Sequence, residues 1–250
     1  MTRADEFRAL HDDFLLLPNA WDAASGAALA RAGFAAVGTT SLGVAAGAGL
    51  RDGTGVSRDA TVSLATRLSG LPVPVSVDVE GGFSDDPGAV RELGHELAAL
   101  GVAGVNLEDG RENRGLAEPA DHARLVAAMG ESGVFVNART DTYRLDTERD
   151  STLDRVRAYV DAGADGVFVP GLVDDRQVAD LVAAVPVPVN LLFRPGLSIE
   201  HVRALGVRRV STGSLLFRAA LGAAMETAGA VRDGAPLRPG IPTVREIQGF

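Results

Sequence analysis

One punctuation mark recurs along the chain. A stretch with helical spacing of apolar residues ends in Ala-Gly or Leu-Gly, and a short apolar run follows at once. It occurs at Ala32-Gly33 before FAAVGTT, Leu100-Gly101 before VAGVNLED, Ala162-Gly163 before ADGVFVP and Leu205-Gly206 before VRRVSTG. A glycine just past a helix end supplies a left-handed cap. The apolar run behind it reads as a strand buried on both faces. Two further runs are announced by proline instead, PVPVSVDVE and PVPVNLLF. The pattern predicts strands at 15–19, 35–39, 73–79, 102–107, 134–138, 166–169, 187–192 and 208–211. Amphipathic helices such as 87–100, 152–162 and 175–184 lie between them. Eight strand–helix units are the count of a TIM-type (β/α)8 barrel, here one α/β domain over 1–232 with a tail over 233–250. A doubly wound sheet is the alternative, but no G-x-G-x-x-G fingerprint follows an early strand.

Composition narrows the chemistry. The 250 residues are 46% hydrophobic and 23% charged, ordinary for a globular domain. No apolar run approaches the roughly 18 residues of a membrane span. The charged start, MTRADEFRALHDDF, resembles neither a signal nor a transit peptide, so a cytoplasmic location is expected. There is no cysteine, and all 24 basic residues are arginine. Thiol nucleophiles, Schiff-base lysines and a P-loop are excluded. A net charge of −9 argues against nucleic acid and is compatible with acids gathered around a divalent cation.

In such a barrel the active site is built at the C-terminal strand ends. Those positions carry Asn19, Trp21 and Asp22; Thr39, Thr40 and Ser41; Asp78 and Glu80; Glu108 and Asp109; Asn137, Arg139 and Asp141; Asn190; and Ser211, Thr212 and Ser214. Asp52 sits in the glycine-rich run GAGLRDGTG. Asp78 and Glu80, two apart on a strand, are expected to project to one face, into the barrel mouth. With Glu108 they form an all-oxygen set suited to Mg²⁺ or Mn²⁺. Arg139 can grip a substrate carboxylate in a fork, or pair with Glu108 or Asp141. His11, His95, His122 and His201 fall in helices or outer connections and are expected to be solvated.

At these residues the chain resembles the isocitrate lyase/phosphoenolpyruvate mutase superfamily. The landmarks are PNAWDAAS, GTTSLGVAAG followed by Arg51-Asp52-Gly53, VSVDVEGGF, GVNLEDG, VNARTD and GADGVFVPG, and the resemblance spans nearly the whole chain. It implies Mg²⁺ and cleavage or formation of a C–C or P–C bond beside a 2-oxo acid, through an enolate. It implies Asp78 as direct metal ligand, and Asp52, Glu80 and Glu108 as holders of metal-bound water. Arg139 is implied on the substrate carboxylate, with the amides of Thr40, Ser41 and Leu42. Asn190 and Trp21 complete the implied substrate set. It also implies a homo-oligomer, dimer or tetramer, in which the apolar helix beginning near Ser214 packs on or swaps with a neighbouring barrel.

The departures restrict the activity. The Lys-Lys-Cys-Gly-His loop of isocitrate and methylisocitrate lyases reads GRENRG here, and Gly38 replaces their strand-two tyrosine. Those two activities are therefore not expected, and the chain is similar instead to the subgroup carrying Asn-Ala-Trp-Asp near its N-terminus. Of the loop residues used by phosphonate mutases, only Asn113 is matched, with Arg111 or Arg114 for the charge. The leading expectation is a lyase or C–C hydrolase of a small 2-oxo or 2-hydroxy dicarboxylate, with Asp52, Glu108, Arg139 and Asn113 as catalytic candidates. A P–C mutase or hydrolase and a 2-oxo acid binding protein are the rivals. The loop from Gly110 to Glu118 is expected to be a lid.

Overall fold

The computed structural model describes residues 1–111 and 115–248. Its strands are β1 (Leu15–Leu17), β2 (Asn19–Ala20), β3 (Val37–Thr39), β4 (Val75–Asp78), β5 (Gly104–Glu108), β6 (Gly110–Arg111), β7 (Gly115–Leu116), β8 (Phe135–Arg139), β9 (Gly166–Phe168), β10 (Val189–Leu192) and β11 (Arg209–Ser211). All but β6 and β7 form one parallel sheet, in the order β1-β11-β10-β9-β8-β5-β4-β3-β2. β1 and β2 are halves of one stave, parted at Pro18, which has no N–H to give to a ladder. β1 pairs with β11 and β2 with β3, so the sheet closes into a barrel of the expected eight staves. β6 and β7 form a separate antiparallel pair at the mouth.

Each stave is followed by a helix or helices. In chain order the helices are α1 (Arg3–Ala9), α2 (Ala23–Arg31), α3 (Ser41–Gly47), α4 (Arg58–Leu68), α5 (Pro87–Ala99), α6 (Pro119–Gly130), α7 (Thr152–Asp161), α8 (Asp175–Ala184), α9 (Ile199–Ala204), α10 (Leu215–Asp233) and α11 (Val244–Gln248). The four glycines of the repeated punctuation all have positive φ: +88° at Gly33, +82° at Gly101, +98° at Gly163 and +92° at Gly206. An L side chain there would be strained, which is why the mark is glycine.

Apolar side chains fill two clusters between sheet and helices, one around Leu64, Leu93 and Val126, the other around Val156, Leu181 and Val202. A third closes the floor of the barrel, where Phe7 of α1 meets Phe135 edge-on at 5.4 Å. Two histidines depart from expectation. His11 is buried, stacked on Phe135 at 4.6 Å, and burial pushes its pKa down to about 4. His122 is fully buried against Tyr159, and burial pushes it down to about 3. His122 lies on the inward stripe of α6, and His11 in the turn after α1, four residues beyond Phe7; charge counting along the chain reveals neither position. His95 and His201 are exposed as expected.

α10 is the anomaly in an otherwise well-packed shell. Of its 19 residues only Phe217 is buried, while Leu221, Met225 and Val231 are exposed. The helix ends at Asp233 and is capped by Gly234 in the left-handed conformation (φ +67°). Among the described residues no helix is long and apolar enough to cross a membrane.

Candidate active site

Two adjoining cavities occupy the C-terminal mouth of the barrel. The inner chamber, about 220 Å³, is lined by Thr40, Ser41, Asp52, Asp78, Asn106 and Arg139 among others. The outer chamber, about 810 Å³, shares Ser41, Leu42, Asp52, Arg139 and Arg144 and adds Glu108. Strand ends from opposite sides of the barrel thus meet at one place, as the pattern predicts.

Asp78 ends β4. Its N–H donates to Thr39 Oγ1 (2.9 Å), and its carboxylate accepts from the amides of Ser41 and Glu80 (both 3.3 Å). Asp52 reaches in from the loop after α3. Its Oδ1 is buried without a hydrogen-bond partner, and burial, then the charge of Asp78, raises its pKa. A buried carboxylate oxygen lacking a donor beside a second carboxylate is costly unless a cation or a proton joins it. Among the described residues no three Asp, Glu or His groups converge closely enough to ligate a metal ion by themselves. That donor set suits an ion such as Mg²⁺, held by one or two carboxylates and otherwise by water. The residues present therefore fit a divalent cation with a largely aqueous shell.

Glu80 is not where strand alternation puts it. β4 stops at Asp78, and Glu80 takes a left-handed conformation (φ +50°) that swings its carboxylate away from the inner chamber. There it accepts from Ser57 Oγ and from the Gly55 amide (2.9 Å), lining a separate cavity of about 370 Å³. Its carboxyl remains raised, by burial first, with Asp52 and Asp78 contributing.

Arg139 ends β8 and is committed on two sides. Its Nε and Nη2 fork onto Asp141 (2.6 and 3.0 Å), and Nη1 pairs with Glu108 at 2.7 Å. Burial opposes its charge, yet Asp141 and Glu108 hold the guanidinium above its ordinary pKa. Burial raises the Glu108 carboxyl to about 8, with the charge of Arg139 pulling against that rise. Arg144 adds a second guanidinium on Asp141, at 2.8 Å.

Other expected site residues lie apart. Asn190 is buried in the bore, donating to Ser211 Oγ (3.3 Å), and lines neither chamber. Trp21 packs against Phe217, ring centroids 5.8 Å apart, and is likewise outside both linings. Of the expected amide donors, Thr40 N–H is used on the Ala20 carbonyl (3.1 Å) and Ser41 N–H on Asp78, and the first turn of α3 has no side-chain cap. Arg111 is not a free rim cation: it donates to the carbonyls of Glu108 (2.7 Å) and Gly110 (3.0 Å) and pairs with Asp85. Glu112, Asn113 and Arg114 lie outside the described residues.

Sequence reading missed a buried cluster beneath the site. Asp109 accepts from the Asp141 amide (2.9 Å), Tyr159 Oη (2.7 Å) and Arg155 Nη1 (3.3 Å), while Arg155 also holds the Ala117 carbonyl (2.8 Å). The cluster fixes the backbone of Asp141, and through it Arg139. Tyr159 and Arg155 share the inward stripe of α7, a signal present in the sequence. Asn106 was also missed, although it precedes Glu108 by two on one strand and so shares its face.

Comparisons with known proteins agree with this geometry. The family profile described as phosphoenolpyruvate phosphomutase matches residues 7–232. The uncharacterized protein Rv1998c of Mycobacterium tuberculosis is 46% identical over 231 residues, 91% of this chain and 88% of its own. A crystal structure from Burkholderia cenocepacia J2315, described as a candidate lyase/mutase, superposes with a TM-score of 0.89 at 35% identity, covering 99% of this chain and 94% of that one. A phosphonopyruvate hydrolase solved with oxalate and Mg²⁺ shares the fold, with a TM-score of 0.87 at 22% identity over 100% of this chain and 95% of that one. Together with the carboxylates and arginine at the barrel mouth, these matches show that the chain belongs to the phosphoenolpyruvate phosphomutase family, within the isocitrate lyase/phosphoenolpyruvate mutase superfamily of lyases and mutases.

Proposed function

We propose that the protein is a Mg²⁺- or Mn²⁺-dependent lyase or C–C hydrolase acting on a small 2-oxo or 2-hydroxy dicarboxylate. The observation that carries this reading is the meeting of Asp78, the orphaned Asp52 Oδ1 and Arg139 in one small chamber. Asp78 would be the direct ligand, with Asp52 and Glu108 holding the cation's water, and Glu80 acting from behind the loop at Gly55 and Ser57. A bound divalent cation supplies Lewis-acid stabilisation to an enolate oxygen. The remaining N–H groups of Arg139 and the free first-turn amides of α3 orient the substrate carboxylate. Asp52, whose Oδ1 has no protein donor, is the group placed to take or return a proton there. Arg111, turned onto its own backbone and Asp85, lends no support to the P–C reading.

Assays for released pyruvate and for released oxalate, run across malates, citrates, oxaloacetate and phosphonopyruvate, test the proposal. Metal-dependent release of pyruvate by a lyase, or of oxalate by a C–C hydrolase, from a carboxylate substrate is expected. Turnover of phosphonopyruvate alone, or tight binding without turnover, would overturn it in favour of one of the rivals.

The exposed face of α10 fits a second copy of the chain, because its apolar residues exceed the single stripe that a barrel needs to cover itself. Light scattering at micromolar concentration is expected to give at least a dimer, and a monomeric mass would contradict this.

A further inference from the structure

Arg209 is the least expected residue in the barrel. It lies on β11 with its side chain in the bore and is 1% exposed. Its guanidinium sits over the Phe7 ring, 5.7 Å from the centroid, at the floor of the barrel. Nη2 donates to Asn106 Oδ1 (3.2 Å), while Nε and Nη1 have no partner. Burial pushes its pKa down to about 9, and the Asp78 carboxylate pulls the other way, so it remains a cation at neutral pH. A buried charge without a close counter-ion is strongly unfavourable, and groups retained at such cost cluster at functional sites. The floor around it holds the apolar cluster of Phe7, Leu15, Leu17 and Phe135 and the buried His11, on which the Arg209 charge acts.

What the guanidinium does is orient Asn106. This residue is in register with Asp78 on one side and Asn137 on the other. Its Oδ1 accepts from both Arg209 and Asn137 Nδ2 (2.8 Å). An asparagine amide can turn either end upward, but a guanidinium only donates, so Oδ1 must face the floor. The NH₂ end then points away from the floor, and Asn106 is part of the inner chamber's lining beside Asp78. Among the described residues this Nδ2 donates to no protein group.

We infer that Asn106 is a ligand-contacting residue of the inner chamber, its Nδ2 donating to a negatively charged oxygen of the substrate, and that Arg209 is the positioning residue that fixes this amide. The inference rests on the barrel mouth being a 2-oxo acid site. An N–H donor held beneath a developing oxyanion is preorganised and needs no rearrangement as charge builds. Arg209 adds positive charge from below without touching the ligand.

Calorimetric titration of oxalate, a planar stand-in for an enolate with its carboxylate, at saturating Mg²⁺ tests this on three proteins. Wild type is expected to bind. Arg209→Met replaces the buried cation by an apolar side chain and is expected to melt at or above the wild-type temperature while binding oxalate about tenfold more weakly. Asn106→Asp keeps an acceptor for Arg209 and Asn137 but lacks the donor, and is expected to lose about tenfold or more. Wild-type affinity in either variant overturns the inference alone. So does parallel loss of melting temperature and affinity in Arg209→Met, the mark of a purely structural role. Absence of oxalate binding by wild type overturns the reading of the mouth and this inference with it.

Discussion

Replacing Asp78 by alanine is expected to abolish the rise in melting temperature that Mg²⁺ plus oxalate gives the wild-type protein. Asp78 is the carboxylate on which the inner chamber converges. The amides of Ser41 and Glu80 point at it, and its charge acts on Asp52, Glu80, Glu108 and Arg209. Ligand that binds only the folded state stabilises by mass action, about 2.7 kcal/mol at a hundred times Kd. Removing the direct ligand should remove that whole increment, whereas the unliganded protein should lose far less, because the remaining carboxylates no longer repel Asp78. Differential scanning fluorimetry over a metal series reads both effects. A variant that keeps the wild-type, metal-dependent shift would exclude Asp78 as the ligand.

The second large effect is expected at Arg139. Its alanine variant leaves Glu108 and Asp141 as buried carboxylates, Glu108 without a cation and Asp141 with Arg144 alone. Breaking a buried ion pair from one side costs about 3–5 kcal/mol. Lysine should not restore it, since one ammonium cannot reproduce a fork onto Asp141 together with a third bond to Glu108. The loss should depend on pH in a defined sense. Without Arg139 the buried Glu108 carboxyl moves further above its unfolded value. A carboxyl raised in the folded state favours folding at low pH, and that contribution is lost as pH rises toward the folded pKa. Burial raises wild-type Glu108 to about 8 already, so the stability gap between variant and wild type should be level below that pH and widen as pH rises above it, where only the variant's carboxyl stays protonated. Urea unfolding at several pH values measures it, and a gap of under about 1 kcal/mol at every pH would mean the pair is not structural.

Much of this site could be read along the chain because barrel geometry turns order into place. Each stave delivers its last residues to the same mouth, so Asp78, Glu108 and Arg139 could be grouped without coordinates, and they do line the two chambers. The rule fails two residues past a strand. Glu80 was placed by alternation, but alternation ends with the extended backbone at Asp78, and a positive φ sends Glu80 elsewhere. Asn190 fails for the opposite reason. It lies within β10, a layer too deep, beside Arg209 in register rather than at the rim.

The repeat of helix, glycine and apolar run was enough to determine an eight-stave parallel barrel. Four units are closed by a glycine whose positive φ only that residue accepts cheaply, two strands are announced by proline, and eight strand–helix units have one common way to bury both sheet faces. The site's acidic and arginine-only chemistry followed from composition and strand ends. Tertiary structure alone decided the partners: which carboxylate Arg139 holds, that Asp109, Arg155 and Tyr159 gather under Asp141, and that Arg209 meets Asn106 across 103 residues of chain. Such pairs depend on barrel closure and the stagger between staves, which bring distant residues into one layer. No local propensity encodes that stagger.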